Sequence, residues 1–168
     1  TFDVEGIDAA HKLVILASIA FKMPLTLEGL YTDGITQLEP QDVAYAKELG
    51  YGIKHLGIAR QTDRGVELRV HPTLIPQKST IAGVNDVANA VMVNADAVGT
   101  TLFCGPGAGA EPTASSVIAD IVDVARTIDS PKEAKVNALG CPMSELEQRN
   151  IVAIEEIETS FYMRFSAL

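Results

Sequence analysis

Four residues, Thr62, Asp63, Arg64 and Gly65, separate two runs of strand character, and so short a connection joins antiparallel neighbours as a hairpin. The two runs are 53–61 and 66–71. In the second, Glu67 and Arg69 alternate with Val66, Leu68 and Val70, a period of two that predicts one wet face and one buried face. Pro72 and Pro76 are expected to close this stretch. A second strand pair is predicted at 88–94 and 98–104, joined through Ala95, Asp96 and Ala97.

Helical spacing marks three further segments. Over 6–21, Ile7, Ala10, Val14, Ala17, Ala20 and Phe21 recur on one face and leave Asp8 and Lys12 together on another. Lys22-Met23-Pro24 ends that helix, because proline disfavours helix in the residue before it. A second helix opens at Glu39-Pro40 and stops at Gly50. A third covers 112–127, with Ala114, Val117, Ile118, Ile121, Val122 and Ala125 as its apolar stripe. The expected class is α+β: a mixed sheet carrying helices on one face, with the other face at a dimer contact. Periodicity fades after Asp129, so 129–158 reads as a linker region. It returns at 160–168, where Phe161, Met163 and Phe165 share one face of a strand. That strand has nothing after it to pair with, and the chain opens on Thr1 rather than methionine. A piece of a longer protein is therefore expected.

Composition narrows the partners. Among 168 residues the formal net charge is −9, which repels phosphates and argues against nucleic acid or an anionic membrane. No apolar run approaches the roughly 20 residues of a spanning helix, and a cytoplasmic protein is expected. Cys104 and Cys141 are far apart and read as two reduced thiols. No His, Cys or Asp spacing favours a metal.

Asp8 and Lys12 stand four residues apart and are neighbours on a helix. By spacing alone they are first a surface ion pair contributing a few tenths of a kcal/mol. The surrounding pattern changes that weight. Asp3, Val4, Gly6, Asp8 and Lys12 form D-V-x-G-x-D-x-x-x-K, which resembles the signature of homoserine dehydrogenases. Tyr31-Thr32-Asp33-Gly34-Ile35, Glu48-Leu49-Gly50-Tyr51 with Ile53-Lys54, Val70-His71-Pro72 and Ala88-Asn89-Ala90-Val91 are similar to that family too. So is the run from Gly105 through Gly107, Gly109, Pro112 and Thr113 to Ser115. The resemblance covers nearly all of 3–126.

The resemblance implies reversible oxidation of L-homoserine to L-aspartate 4-semialdehyde with NADP or NAD, on the way to threonine, methionine and isoleucine. It makes Lys12 the general acid/base, Asp3 and Asp8 substrate-binding carboxylates, and Gly109 a glycine close to the nicotinamide end of the cofactor. A lysine that takes a proton near neutrality needs its ordinary pKa of about 10.4 brought down; desolvation does this and a neighbouring carboxylate opposes it. The resemblance also assigns 1–128 to the catalytic domain, with a nucleotide-binding domain missing upstream and most of the cofactor held there. Residues 159–168 then resemble the first strand of a truncated ACT-type regulatory domain. This chain alone should not turn over, and a homodimer or higher homo-oligomer is implied.

Gly105 to Ala110 also fits G-x-G-x-x-A, a variant dinucleotide fingerprint. Context argues against that use: an acidic residue follows at the right distance, Asp129, but Ser130-Pro131 and no strand come after it. His11, His55 and His71 receive no role. Two other readings remain open: a related two-domain dehydrogenase with another small substrate, and a non-catalytic dimerisation module whose Asp8–Lys12 pair is structural.

Overall fold

The computed structural model describes residues 2–131 and 135–166, which fall into two compact units. One combines Thr1–Ile75 with Val136–Leu168, and the other is Pro76–Lys135.

The first unit opens with helix α1, Ile7–Phe21. Its buried residues are Ala10, Leu13, Val14, Ala17 and Ser18, an i, i+3, i+4, i+7, i+8 stripe. The stripe is rotated from the expected one: Leu13 and Ser18 enter it, while Ile7 and Ala20 stay outside. Ser18 is tolerated there because its hydroxyl donates to the Met23 carbonyl at 2.5 Å. The helix ends at Lys22, whose φ of 52° is left-handed, before proline intervenes.

A short strand β1, Tyr31–Thr32, precedes helix α2, Pro40–Glu48, and the hairpin of β2, Tyr51–Thr62, and β3, Gly65–Pro76. The sheet order is β1-β3-β2, with β1 parallel to β3 and Tyr31 opposite Arg69. Two residues, Asp63 and Arg64, turn the hairpin, and the Thr62 hydroxyl braces it by donating to the Gly65 carbonyl at 2.9 Å.

Both arms run longer than expected, and β3 passes straight through Pro72. The reason lies in the edge that proline faces. The Val70 carbonyl accepts from Asp33 N on the β1 side, so by the period of two Pro72 and Pro76 direct their missing N–H to that same side. There β1 has already ended, and no ladder bond is lost.

Val66, Leu68 and Val70 pack against Ala10, Leu13 and Ala17 of α1 and against Met23 just past its end. The opposite face is not wet. Glu67 is 0% and Arg69 8% exposed, which corrects the expectation of a solvated face. Glu67 accepts hydrogen bonds from Arg60 Nη2 at 2.5 Å, Arg60 Nε at 3.1 Å and Arg69 Nη1 at 2.6 Å. Burial alone would raise its pKa, but the two guanidiniums outweigh burial and hold the carboxyl below its ordinary value.

Residues 136–158, read from sequence as linker, supply part of this core. Ile151 bridges Val66 in parallel along the β1 edge, and Cys141, Val152 and Ile157 are buried. Residues 160–166 form no strand, and the last two residues of that expectation lie outside the described ones.

In the second unit β4, Ala88–Ala95, and β5, Gly99–Pro106, pair antiparallel from Ala88 opposite Pro106 to Ala95 opposite Gly99. Helix α3, Ala110–Thr127, follows and buries none of its residues; Val117, Ile118 and Ile121 stay more than half exposed. The five strands thus form two sheets, the mixed three-stranded one and this antiparallel pair.

Candidate active site

Asp3, Asp8 and Lys12 are positioned by the start of α1. Residues 2–6 coil into a turn closed by Gly6 N donating to the Asp3 carbonyl at 3.0 Å and Ile7 N donating to Phe2 O at 3.1 Å. Gly6 then caps the helix at φ 78°, a left-handed conformation that favours glycine. Asp3 is therefore held just before the helix and Asp8 in its first turn. One turn on, Lys12 Nζ donates to Asp8 Oδ2 at 2.5 Å. The pair is open to solvent, with 65% of the Lys12 side chain and 39% of the Asp8 side chain exposed. Within this unit nothing removes the ammonium from water.

Three residues given no role from sequence hold this turn in place. His55 Nε2 donates to the Asp33 carbonyl at 2.9 Å, which fixes the proton on that nitrogen because a carbonyl only accepts. Its ring also backs onto Gly6: a Cβ there would meet His55 Cε1 and Val70 Cγ1, each at 3.0 Å. The Asp33–Gly34 strap lies on the turn itself, where Ile35 N donates to the Val4 carbonyl at 2.9 Å. A Cβ on Gly34 would meet that carbonyl oxygen at 2.6 Å. Gly34 was visible within a sequence motif, but its reason, contact with the backbone of Val4, was not. His11 packs edge-on against Phe2, ring centres 5.7 Å apart.

Gly109 belongs to the second unit, where it precedes α3 with φ 125°. A Cβ there would find only ordinary contact with Pro112 Cδ at 3.4 Å, so backbone conformation rather than crowding calls for glycine. The tight approach in this turn is at Gly107, whose missing side chain makes room for Asn89. The turn is not a dinucleotide cradle: β5 pairs antiparallel, and no strand follows α3 among the described residues of this unit.

Among the described residues, no group of three His, Cys, Asp or Glu is placed to hold a metal ion. No helix described is long and apolar enough to cross a membrane. One open cleft, about 600 Å³, lies at the hairpin turn and includes none of the predicted site residues. Its Arg60 is paired with Glu67 and its Arg64 with Glu158, so both of its cations already have carboxylate partners.

Comparison with known proteins gives one consistent family. The homoserine dehydrogenase family pattern matches residues 1–122. The chain is 59% identical over 167 residues to a homoserine dehydrogenase of Pseudomonas aeruginosa and 48% identical to one of Neisseria gonorrhoeae. Each alignment covers 99% of this chain and 38% of the relative. A solved homoserine dehydrogenase from Thiobacillus denitrificans matches with a TM-score of 0.88 and 54% identity, over 94% of this chain and 36% of that one. One from S. aureus gives 0.71 and 39%, over 82% and 34%. The chain thus spans little more than a third of the length of these relatives.

Proposed function

This chain belongs to the homoserine dehydrogenase family, and from that premise we propose that it carries the substrate-holding and proton-transfer part of an enzyme that interconverts L-homoserine and L-aspartate 4-semialdehyde. The observation that carries the reading is the Asp8–Lys12 pair, 2.5 Å apart on a helix whose first turn is held from three sides. Asp3 and Asp8 supply carboxylates for the substrate ammonium. Lys12, as the free amine, takes the hydroxyl proton during oxidation and returns it during reduction. A nicotinamide cofactor, NAD or NADP, would supply the hydride chemistry at the carbon bearing this hydroxyl, two electrons and one hydrogen balancing the proton that Lys12 handles. Gly109 would lie close to the nicotinamide ring, and residues outside this chain would hold most of the cofactor.

The relatives' greater length supports a nucleotide-binding domain upstream of these residues. The likeness of Thr159 through Phe165 to the entrance of an ACT-type regulatory domain supports the start of such a domain there. The exposed apolar side chains of α3, with Phe103 62% exposed on β5, support assembly with a second copy. On this reading the enzyme works in the cytoplasm, in the synthesis of threonine, methionine and isoleucine.

The test is NAD(P)H formation from L-homoserine by the full-length protein, wild type beside Lys12→Ala. Turnover that falls by about a hundredfold or more supports both the reaction and the role of Lys12. Turnover that survives moves proton transfer elsewhere. No turnover of the folded wild type with either cofactor would overturn the substrate.

A further inference from the structure

The tail of the first unit is tied to the start of α2 by a set of polar contacts. Tyr162 Oη and Arg164 Nε both donate to Asp42 Oδ1, at 3.0 and 2.8 Å. Arg164 Nη1 donates to Gln41 Oε1 at 3.2 Å, and Nη2 to Glu39 Oε2 at 2.5 Å. The guanidinium therefore spends three nitrogens on three acceptors at the start of α2, more than 120 residues back along the chain.

The receiving end is preformed. Asp42 is only 7% exposed, and its other oxygen, Oδ2, accepts from the Glu39 amide at 3.1 Å in the capping box of α2. One carboxylate thus closes the helix with one oxygen and holds the tail with the other, so it cannot swing away without uncapping α2. An isolated surface ion pair contributes little, but a forked arginine on a fixed set of acceptors has defined geometry.

The tail itself shows why that geometry matters. Along this segment the side chains alternate in what they meet. Tyr162 and Arg164 turn toward α2, while Phe161, Met163 and Phe165 stand 77%, 69% and 81% exposed. A slip of one residue would exchange the two sets.

We propose that Tyr162, Arg164 and Asp42 form an orienting latch that ties the tail to the start of α2 in one register. Any chain continuing past residue 166 leaves this unit from a fixed point and with a fixed facing. The latch stands whether or not Lys12 has the chemistry proposed above.

The experiment is limited chymotrypsin digestion of the full-length protein, following cleavage after Phe161, Tyr162 and Phe165 in wild type, Arg164→Ala, Tyr162→Phe, Asp42→Asn and the Arg164→Ala/Asp42→Asn pair. Loss of a charge-assisted hydrogen bond predicts cleavage faster by about tenfold or more in Arg164→Ala. The paired variant should gain less than the sum of the two single effects, because the Arg164–Asp42 bond is common to both. Hydrogen exchange of the 40–48 amides shows whether a variant has loosened α2, since Arg164 and Asp42 both touch its capping box. If it has, faster cleavage in Tyr162→Phe decides the matter, since that hydroxyl bonds the Asp42 oxygen that does not cap α2. Tail cleavage unchanged in Arg164→Ala, or effects that simply add, would overturn the latch.

Discussion

Lys12 Nζ lies 2.5 Å from Asp8 Oδ2 across one turn of α1, yet the two side chains are 65% and 39% exposed. A pair so open contributes at most about 1 kcal/mol to folding. Lys12→Ala or Asp8→Asn is therefore expected to leave urea unfolding within about 1 kcal/mol of wild type. A loss of activity in either variant can then be read as lost chemistry. A larger shift would show that the pair is structural, which is what a non-catalytic module requires.

Glu67 presents the opposite case. Its carboxylate is fully buried between Arg60 and Arg69, so Glu67→Gln leaves Arg69 as a buried charge without its partner. The expected cost at pH 7 is about 3 kcal/mol, toward the low end for a broken buried pair because Arg60 is half exposed. The carboxyl is held below its ordinary value, so its contribution is complete above that value and is lost as pH falls through the depressed one. Stability of wild type and variant, compared by urea unfolding, should therefore converge in acid below about pH 4.

Gly34 is expected to control substrate affinity from outside the site. A Cβ at that position meets the Val4 carbonyl, which is backbone and cannot rotate away. Gly34→Ala should push the 3–6 turn and raise KM for homoserine by about tenfold while kcat falls less, as expected when binding geometry rather than the reacting group is disturbed. Equal KM in the two proteins would place Asp3 outside the binding site.

The tail should come free in acid. The Glu39 amide bond is the largest influence holding the Asp42 carboxyl below its ordinary value; burial opposes it, and Tyr162 and Arg164 add to it. A carboxylate so depressed keeps its partners throughout the neutral range and loses them only as pH falls through the lowered value. The Arg164 Nε–H signal, followed by NMR, should keep its hydrogen-bonded position down to about pH 4 and lose it below. Opening near pH 6 would point to a group other than Asp42.

Much of this architecture was legible because it is periodic. The helical stripe of α1, the alternation of β3 and the short turn at Asp63 each write a repeat into the sequence. What escaped was set by neighbours that carry no repeat. Glu67 and Arg69 read as a wet face because their pattern matches one; Arg60, seven residues before Glu67, joins Arg69 in making burial possible. Ile151 and Val152 sit in irregular chain, where burial leaves no period to detect. At the site the charged residues could be named from sequence. The supports could not: His55 holds Asp33 through a backbone carbonyl, a contact that no side-chain pattern records.

Asn150 Nδ2 donates to the Arg64 carbonyl at 2.7 Å, joining residues 86 apart in the chain, and the whole of Pro76–Lys135 lies between them. During synthesis the hairpin leaves the ribosome well before the segment that completes its open edge. The intervening unit is one continuous run and is free to fold first. Until Asn150 and Ile151 arrive, Val66 offers an unpaired backbone edge, the kind of template on which another nascent chain can add a strand. Translation speed across 76–150 thus sets how long the growing chain is exposed to mispairing, a vulnerability of its birth that the finished fold no longer shows.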